Sequence, residues 1–291
     1  MEGTRGTPRG PSMAGVAPFG RIDVAKAGRA GSGAVRPRLK GRVSAVVLPA
    51  VGTVLVVGLW WLATIVFEVE SFVLPAPPEV AEAFDRLGGY LIENLWVTLA
   101  ETLQGFALAT VLGLLLGLLI TSSWVVEQML YPLLLAINAI PKPALAPLLV
   151  IWMGFGPEPK IVMVVLICFF PIVLAAATGL ASTPADHVEL VRSLDASRWQ
   201  IFRKVRLPSA LPQIFIGLKA AMPLAVIGAV IGELVAADAG LGFVINQAGG
   251  SADTALAFAA IALLGLMAIV LFYALVAIER LLLPWVRQTT A

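Results

Sequence analysis

Residues 186–208 read DHVELVRSLDASRWQIFRKVRLP, a charged island set between two long apolar runs. It opens with Asp186, a candidate helix N-cap, and Glu189 follows at the capping-box distance. Leu190, Val191 and Leu194 then share one helical face, with His187, Glu189 and Arg192 off it. Asp195 interrupts, and a second short helix is expected to carry Trp199, Phe202 and Val205 opposite Arg198, Arg203, Lys204 and Arg206. Leu207-Pro208 is expected to stop that helix, because proline disfavours the α conformation in the residue before it. The stretch therefore reads as two amphipathic helices joined by a bend at a membrane surface. Its plainest interpretation is a basic interfacial segment resting on anionic lipid.

The rest of the chain explains why such a polar segment needs a role. Only 13% of residues are charged, about half of what a soluble domain carries. Hydrophobic residues reach 59% and mean hydropathy is +0.93, so an all-α polytopic membrane protein is expected. A single cysteine, Cys168, allows no intrachain disulfide. A single histidine, His187, sits in the island, which argues against a histidine metal cluster or a Ser-His dyad at membrane depth. No cofactor and no metal are expected.

Taken in order, residues 1–42 are rich in Gly, Pro, Ala and Arg, with nine Lys or Arg against Glu2 and Asp23, and read as a disordered basic tail. Residues 43–67 offer 25 apolar-rich positions, roughly 37 Å as a helix, enough for an uncleaved first span. Residues 68–96 read as an external loop with an extended Pro-rich stretch, Val73 to Pro78, and a short surface helix marked by Val80, Phe84 and Leu87. Residues 97–284 form the core. Its spans are expected at 97–120, 128–153, 161–180, 209–237 and 254–283, with the island between the third and fourth and a Gly-rich external loop from Gly240 to Gly250. Residues 285–291 are a short tail. Gly105, Ala109, Gly113 and Gly117 recur every four residues, as do Gly217, Ala221, Ala225 and Ala229, stripes that let helices approach closely. With the N-terminus inside, inner segments carry nine, none, five and one Lys or Arg, and outer segments carry only Arg86 and Lys160. That bias favours six spans with both termini cytoplasmic, in the inner membrane.

The island resembles the cytoplasmic coupling loop of ATP-binding-cassette importer permeases. That family's pattern is Glu-Ala-Ala, three residues, Gly, nine residues, a branched aliphatic, any residue, Leu-Pro. Here it is met by Glu189-Leu190-Val191, Asp195, Val205 and Leu207-Pro208, with Leu-Val in place of Ala-Ala and Asp195 in place of glycine. Asp is among the few residues that tolerate the left-handed bend a glycine would supply. The Leu-Pro-x-Pro connection (Leu74 to Pro77) and the Gly240-Leu241-Gly242-Phe243 loop resemble the nitrate/sulfonate/taurine branch. Thr254, Phe258 and Glu279 through Pro284-Trp285 lean toward the pyrimidine and riboflavin precursor permeases. The resemblance implies a type I importer permease fold and makes Glu189, Leu190, Val191, Leu194, Asp195, Arg198, Trp199, Leu207 and Pro208 the ATPase-coupling residues. It also implies two copies of an ATP-binding subunit, a second permease (a homodimer, or a pair with a close paralogue), and an extracytoplasmic substrate-binding protein, with no nucleic acid. No G-x-x-x-x-G-K-[ST] run occurs, so the chain is expected to be a non-catalytic subunit.

Ionisable groups inside spans are functional candidates by default. Lys142, flanked by Pro141 and Pro143, would lie about 21 Å along an unbroken third span. It reads either as a translocation-pathway residue or as a structural cation paired with Glu233 or Glu101 or snorkelling outward. Lys219 and Glu233 are further candidates. A secondary transporter or channel would share this composition without needing coupling helices, and a membrane-embedded enzyme would need catalytic groups that the sequence does not supply.

Overall fold

A computed structural model of the protein describes residues 41–285, which form ten α-helices and no strand among the described residues. The expected basic tail, apart from its last two residues, and the C-terminal tail beyond Trp285 lie outside them. Five helices are long and apolar enough to cross a membrane, and a bent pair makes up to six. Two compact units divide at Val54. In the first, the opening turns of α1 (Gly41–Val66) hold Thr53, whose Oγ1 donates to the Pro49 carbonyl at 3.0 Å. The second runs from Leu55 onward and holds everything described below.

Helix α2 spans Pro77–Ile120 without the expected break at residue 96. Pro77 and Pro78 occupy its first turn, where their missing N–H groups have no helical acceptor anyway. Within it only Leu87 leaves helical angles (φ −126°, ψ 20°), so the expected surface helix and second span are one bent helix. Hydropathy misplaced the boundary because Glu93 and Asn94 are polar, yet Asn94 is buried and its Oδ1 accepts from the Gly240 N–H.

The expected third span is broken. Helices α3 (Trp124–Ala139) and α4 (Ala146–Met153) flank a 3₁₀ turn, Lys142–Leu145, and the pair bends by 78°. Ile140, which precedes Pro141, takes φ −66° and ψ 130°, the extended conformation that proline imposes on its neighbour. With Pro141, Pro143 and Pro147 donating no backbone hydrogen bond, a regular helix cannot pass through.

Helix α5 (Glu158–Ala181) is the centre of the bundle. It runs parallel to α2, pairing Gly105 with Val164, Gly113 with Ile172 and Gly117 with Ala176. It runs antiparallel to α8 (Leu207–Ala236), where Gly179 meets Ala210, Gly217 meets Ala175, Gly228 meets Val164 and Gly232 meets Lys160. A Cβ on Gly105 or Gly117 would lie 2.5 Å from a Cβ of α5, so both small-residue stripes act as close-packing surfaces. The core between them includes Ala109, Cys168, Ile172, Ala221 and Ala225, all fully buried.

Helices α6 (Ala185–Ser193) and α7 (Arg198–Ile201) connect α5 to α8. Leu207-Pro208 is not a stop. A π turn, Phe202–Arg206, carries α7 into α8, and the Leu207 N–H bonds back to the Phe202 carbonyl. The wider turn makes room for a proline ring that would otherwise meet the carbonyl four residues earlier. The expected Gly-rich loop is also a helix, α9 (Leu241–Gly250), entered through Gly240 at φ 111°. Helix α10 (Thr254–Leu282) follows, with Asp253 Oδ1 accepting from the Leu256 N–H at 3.1 Å. Trp60 of α1 lies 5.8 Å from Phe258 of α10, ring centre to ring centre.

Candidate functional site

The island folds into two short helices around one forced residue. Asp195 adopts φ 56°, the left-handed conformation that the spacing predicts for the position where the family pattern has glycine. Asp186 is not the cap of α6. The helix begins after Pro184, and Asp186 is its second residue, where its charge still favours the N-terminal dipole. The cap that sequence reading missed is Ser197: its Oγ accepts from the Gln200 N–H at 3.3 Å, and the Ser197 N–H donates to Gln200 Oε1 at 2.8 Å. The Ser-x-x-Gln spacing was the signal for it.

Burial divides this segment sharply. Ile201 is buried, and Phe202 packs on the main core and stacks on Trp199 at 5.7 Å. Val191, Leu207 and Pro208 are half-buried, whereas Glu189, Asp195 and Arg198 are exposed. Leu190, Leu194 and Trp199 are 63%, 75% and 66% exposed. A polar segment that turns three large apolar side chains outward presents an edge suited to a protein surface.

At the other end of the bundle lies a polar cluster buried among four helices. Lys160 Nζ donates to Glu101 Oε1 at 2.8 Å, and each side chain is 5% exposed. Lys160 therefore belongs to the first turn of α5 and not to a loop, contrary to the charge count made from sequence. Glu233 of α8, 1% exposed, accepts from Thr98 Oγ1 at 2.7 Å and from the Gly242 N–H at 2.6 Å. Thr98 Oγ1 also accepts from the Leu241 N–H (2.8 Å), and Asn94 Oδ1 from the Gly240 N–H (2.7 Å). The N–H groups of the cap Gly240 and of the first two residues of α9, which no helical carbonyl can reach, thus find acceptors on α2 and α8. No Cβ fits at Gly242, where it would lie 2.8 Å from the Glu233 Cβ.

Lys142 stands at the break between α3 and α4. Its Nζ donates to the Asn138 carbonyl (2.9 Å) and to Asn138 Oδ1 (2.7 Å), so neither expected carboxylate partner is engaged. Glu101 is taken by Lys160, and Glu233 by Thr98 and Gly242. Beside Lys142 is a small apolar recess of about 60 Å³, floored by Leu166, Phe169 and Phe170. Lys219 of α8 pairs with Glu279 of α10 at 2.7 Å, both about one-fifth exposed. Pro141 and Pro143 set the break and present no polar group to a pathway beyond their carbonyls.

Residues 109–288 match the family described as the binding-protein-dependent transport system inner membrane component. The chain belongs to this family. It is an importer permease, integral to the membrane. It is 39% identical over 217 residues to the formylaminopyrimidine transport permease ThiX of Halalkalibacterium halodurans, a match covering 74% of this chain and 87% of that protein. It is 37% identical to the riboflavin transport system permease RibX of Chloroflexus aurantiacus (81% and 91% covered). It is 33% identical to the taurine transport system permease TauC of Escherichia coli (85% and 94% covered). Its fold is that of the inward-facing MetNI methionine ABC transporter (TM-score 0.59, 24% identity), which covers 67% of this permease and 97% of the solved chain. Sequence singled out the acids Glu101 and Glu233 of the permease's buried cluster but paired them with Lys142; Lys160, on a third helix with no shared motif, was missed as the cation.

Proposed function

We propose that the permease lines a translocation pathway for a small heteroaromatic solute of the pyrimidine or riboflavin-precursor class, driven by a separate ATP-hydrolysing subunit. The observation that carries the motor's docking is the outward edge of Leu190, Leu194 and Trp199, held in place by the Asp195 bend and the Ser197 cap. Glu189 and Arg198 would rim that edge, and Val191, Leu207 and Pro208 would tie it to the bundle. One coupling segment per chain means that two motors need two permeases, so the working unit is a homodimer with two ATP-binding subunits and an extracytoplasmic binding protein. Cytoplasmic termini follow from the charge bias, which sharpens once Lys160 is removed from the outer count.

The solute class is supported by the ranking of the relatives. ThiX and RibX, named for a formylaminopyrimidine and for riboflavin, share more identity with this chain than TauC does. The recess beside Lys142, about 60 Å³ and walled by two phenylalanines, is too small to hold such a ring as it stands, so passage of one would require the α3–α4 break to open. Uptake by proteoliposomes holding the full complex tests this, with a pyrimidine precursor, riboflavin and taurine offered in parallel. Uptake of a ring compound that falls at least tenfold in Lys142→Ala is the expected result, with the ATPase still bound. Uptake of taurine alone would reassign the solute, and loss of the ATPase from Leu190→Glu/Leu194→Glu complexes checks the docking edge separately.

A further inference from the structure

Helix α6 has a second face. Val188 and Arg192, four residues apart, line a cleft of about 320 Å³ together with Ser122, Arg198, Ile201, Phe202 and Arg206. Leu190 and Leu194 lie two residues further round, roughly 200° away on the helix, so the cleft opens away from the apolar docking edge. Three guanidinium groups border it, and among the described residues none is paired with a carboxylate. The adjoining cavity of about 480 Å³ shares Arg206 and holds one acid, Glu127. Three like charges around one small cleft repel each other unless an anion sits among them.

The level of the cleft identifies the anion. Ser122, on its wall, is two residues from Trp124 at the start of α3, and Trp124 is 73% exposed. Exposed tryptophan at a helix end marks the membrane–water interface, the depth at which phospholipid headgroups lie. Basic pockets between helix ends at that depth suit anionic headgroups, and 320 Å³ leaves ample room for a phosphodiester. Arginine matches phosphate oxygens with its planar fork of donors.

We propose that Arg192, Arg198 and Arg206 bind the phosphate of one anionic phospholipid in the adjacent leaflet. The site requires only that the chain span a membrane and is independent of the choice of transported solute; of its three arginines Arg198 also rims the motor-docking edge, whereas Arg192 and Arg206 lie off that edge. A lipid held there braces α6 and α7 against the bundle from the face of α6 opposite Leu190 and Leu194.

Native mass spectrometry of the complete complex, released from nanodiscs of mixed phosphatidylglycerol and phosphatidylcholine, tests the site. Wild-type protein is expected to retain one phosphatidylglycerol per permease, and Arg203→Gln/Lys204→Gln, whose side chains lie outside the cleft, to retain it equally. Each cleft arginine is worth about fivefold in headgroup affinity, so the triple Gln variant should lose about a hundredfold. Arg206→Gln alone, with about a fivefold loss, serves if the triple variant does not assemble. Equal retention in every variant would overturn the site, as would displacement of the lipid by inorganic phosphate, which would make it a free-anion site. Loss of the ATPase with lipid still bound would assign the arginines to the partner subunit instead.

Discussion

Asp195 is held at φ 56° by its neighbours, so its substitutions separate backbone from side-chain effects. Asp195→Gly should keep full transport, since glycine reaches this conformation without steric cost. Asp195→Ala should destabilise the bend by roughly 1–2 kcal/mol, and Asp195→Pro, locked near φ −65°, should abolish coupled uptake. Uptake and ATP hydrolysis measured side by side in proteoliposomes check the series, and full transport by the proline variant would dissociate the bend from coupling. The Glu101–Lys160 pair behaves differently. Glu101→Leu leaves a buried ammonium unpaired, a loss of about 3–5 kcal/mol, whereas Glu101→Leu/Lys160→Met should recover most of it. Thermal unfolding of the two variants in detergent distinguishes these outcomes. Asp195 was legible in the sequence because few residue types tolerate its conformation and its spacing to Leu207-Pro208 is fixed. The ion pair was not, because its partners lie 59 residues apart and neither span's periodicity says which helix ends meet.

The elements were legible where hydrophobic length decided them and illegible where polar partners did. α5, α8 and α10 begin and end within about three residues of where apolar runs and prolines set them, the precision with which helix ends are defined at all. α2 ran past its expected start at residue 97 because the buried acceptor Asn94, like Thr98 just inside the expected span, made polar sequence compatible with a helix interior. The same two residues explain α9. Four glycines between 240 and 250 read as a loop, yet side chains on α2 and α8 satisfy its first N–H groups and so nucleate the helix. The glycines of α9 are therefore unequal. Gly249→Ala and Gly250→Ala meet open space and should each stabilise by about 0.5–1 kcal/mol. Gly242→Ala presses on Glu233 and should destabilise by about 1–3 kcal/mol. Melting temperatures of the three single variants test the ranking, and a Gly242→Ala protein as stable as the parent would dismiss the tight fit.

At the scale of the whole molecule, α8 joins the two polar ends. Its 30 residues reach about 45 Å, from the π turn behind the docking edge to Glu233 beneath α9. Under the proposed coupling, movement of the island would be carried as rotation or tilt of one rod, which Glu233 would pass to α2 and α9 through its bonds to Thr98 and Gly242. Glu233→Gln keeps the shape but offers one carbonyl oxygen to two donors, leaving one buried group unsatisfied at about 1–3 kcal/mol. Solute moved per ATP hydrolysed should fall in that variant, and an unchanged ratio would show that α9 takes no part in the stroke. The π turn adds a geometric consequence. A wide turn holds one residue more than an α-turn needs, so it sets the angular phase between the rod and the segment it carries, much as a spacer sets a clock hand. Deleting Lys204 would let the turn close into regular helix, swinging residues 186–201 about the axis of α8 by about 100° and drawing them in by about 1.5 Å. The spans would still insert, but Leu190, Leu194 and Trp199 would face a quarter-turn away from the motor, leaving a well-folded permease with its drive shaft out of mesh.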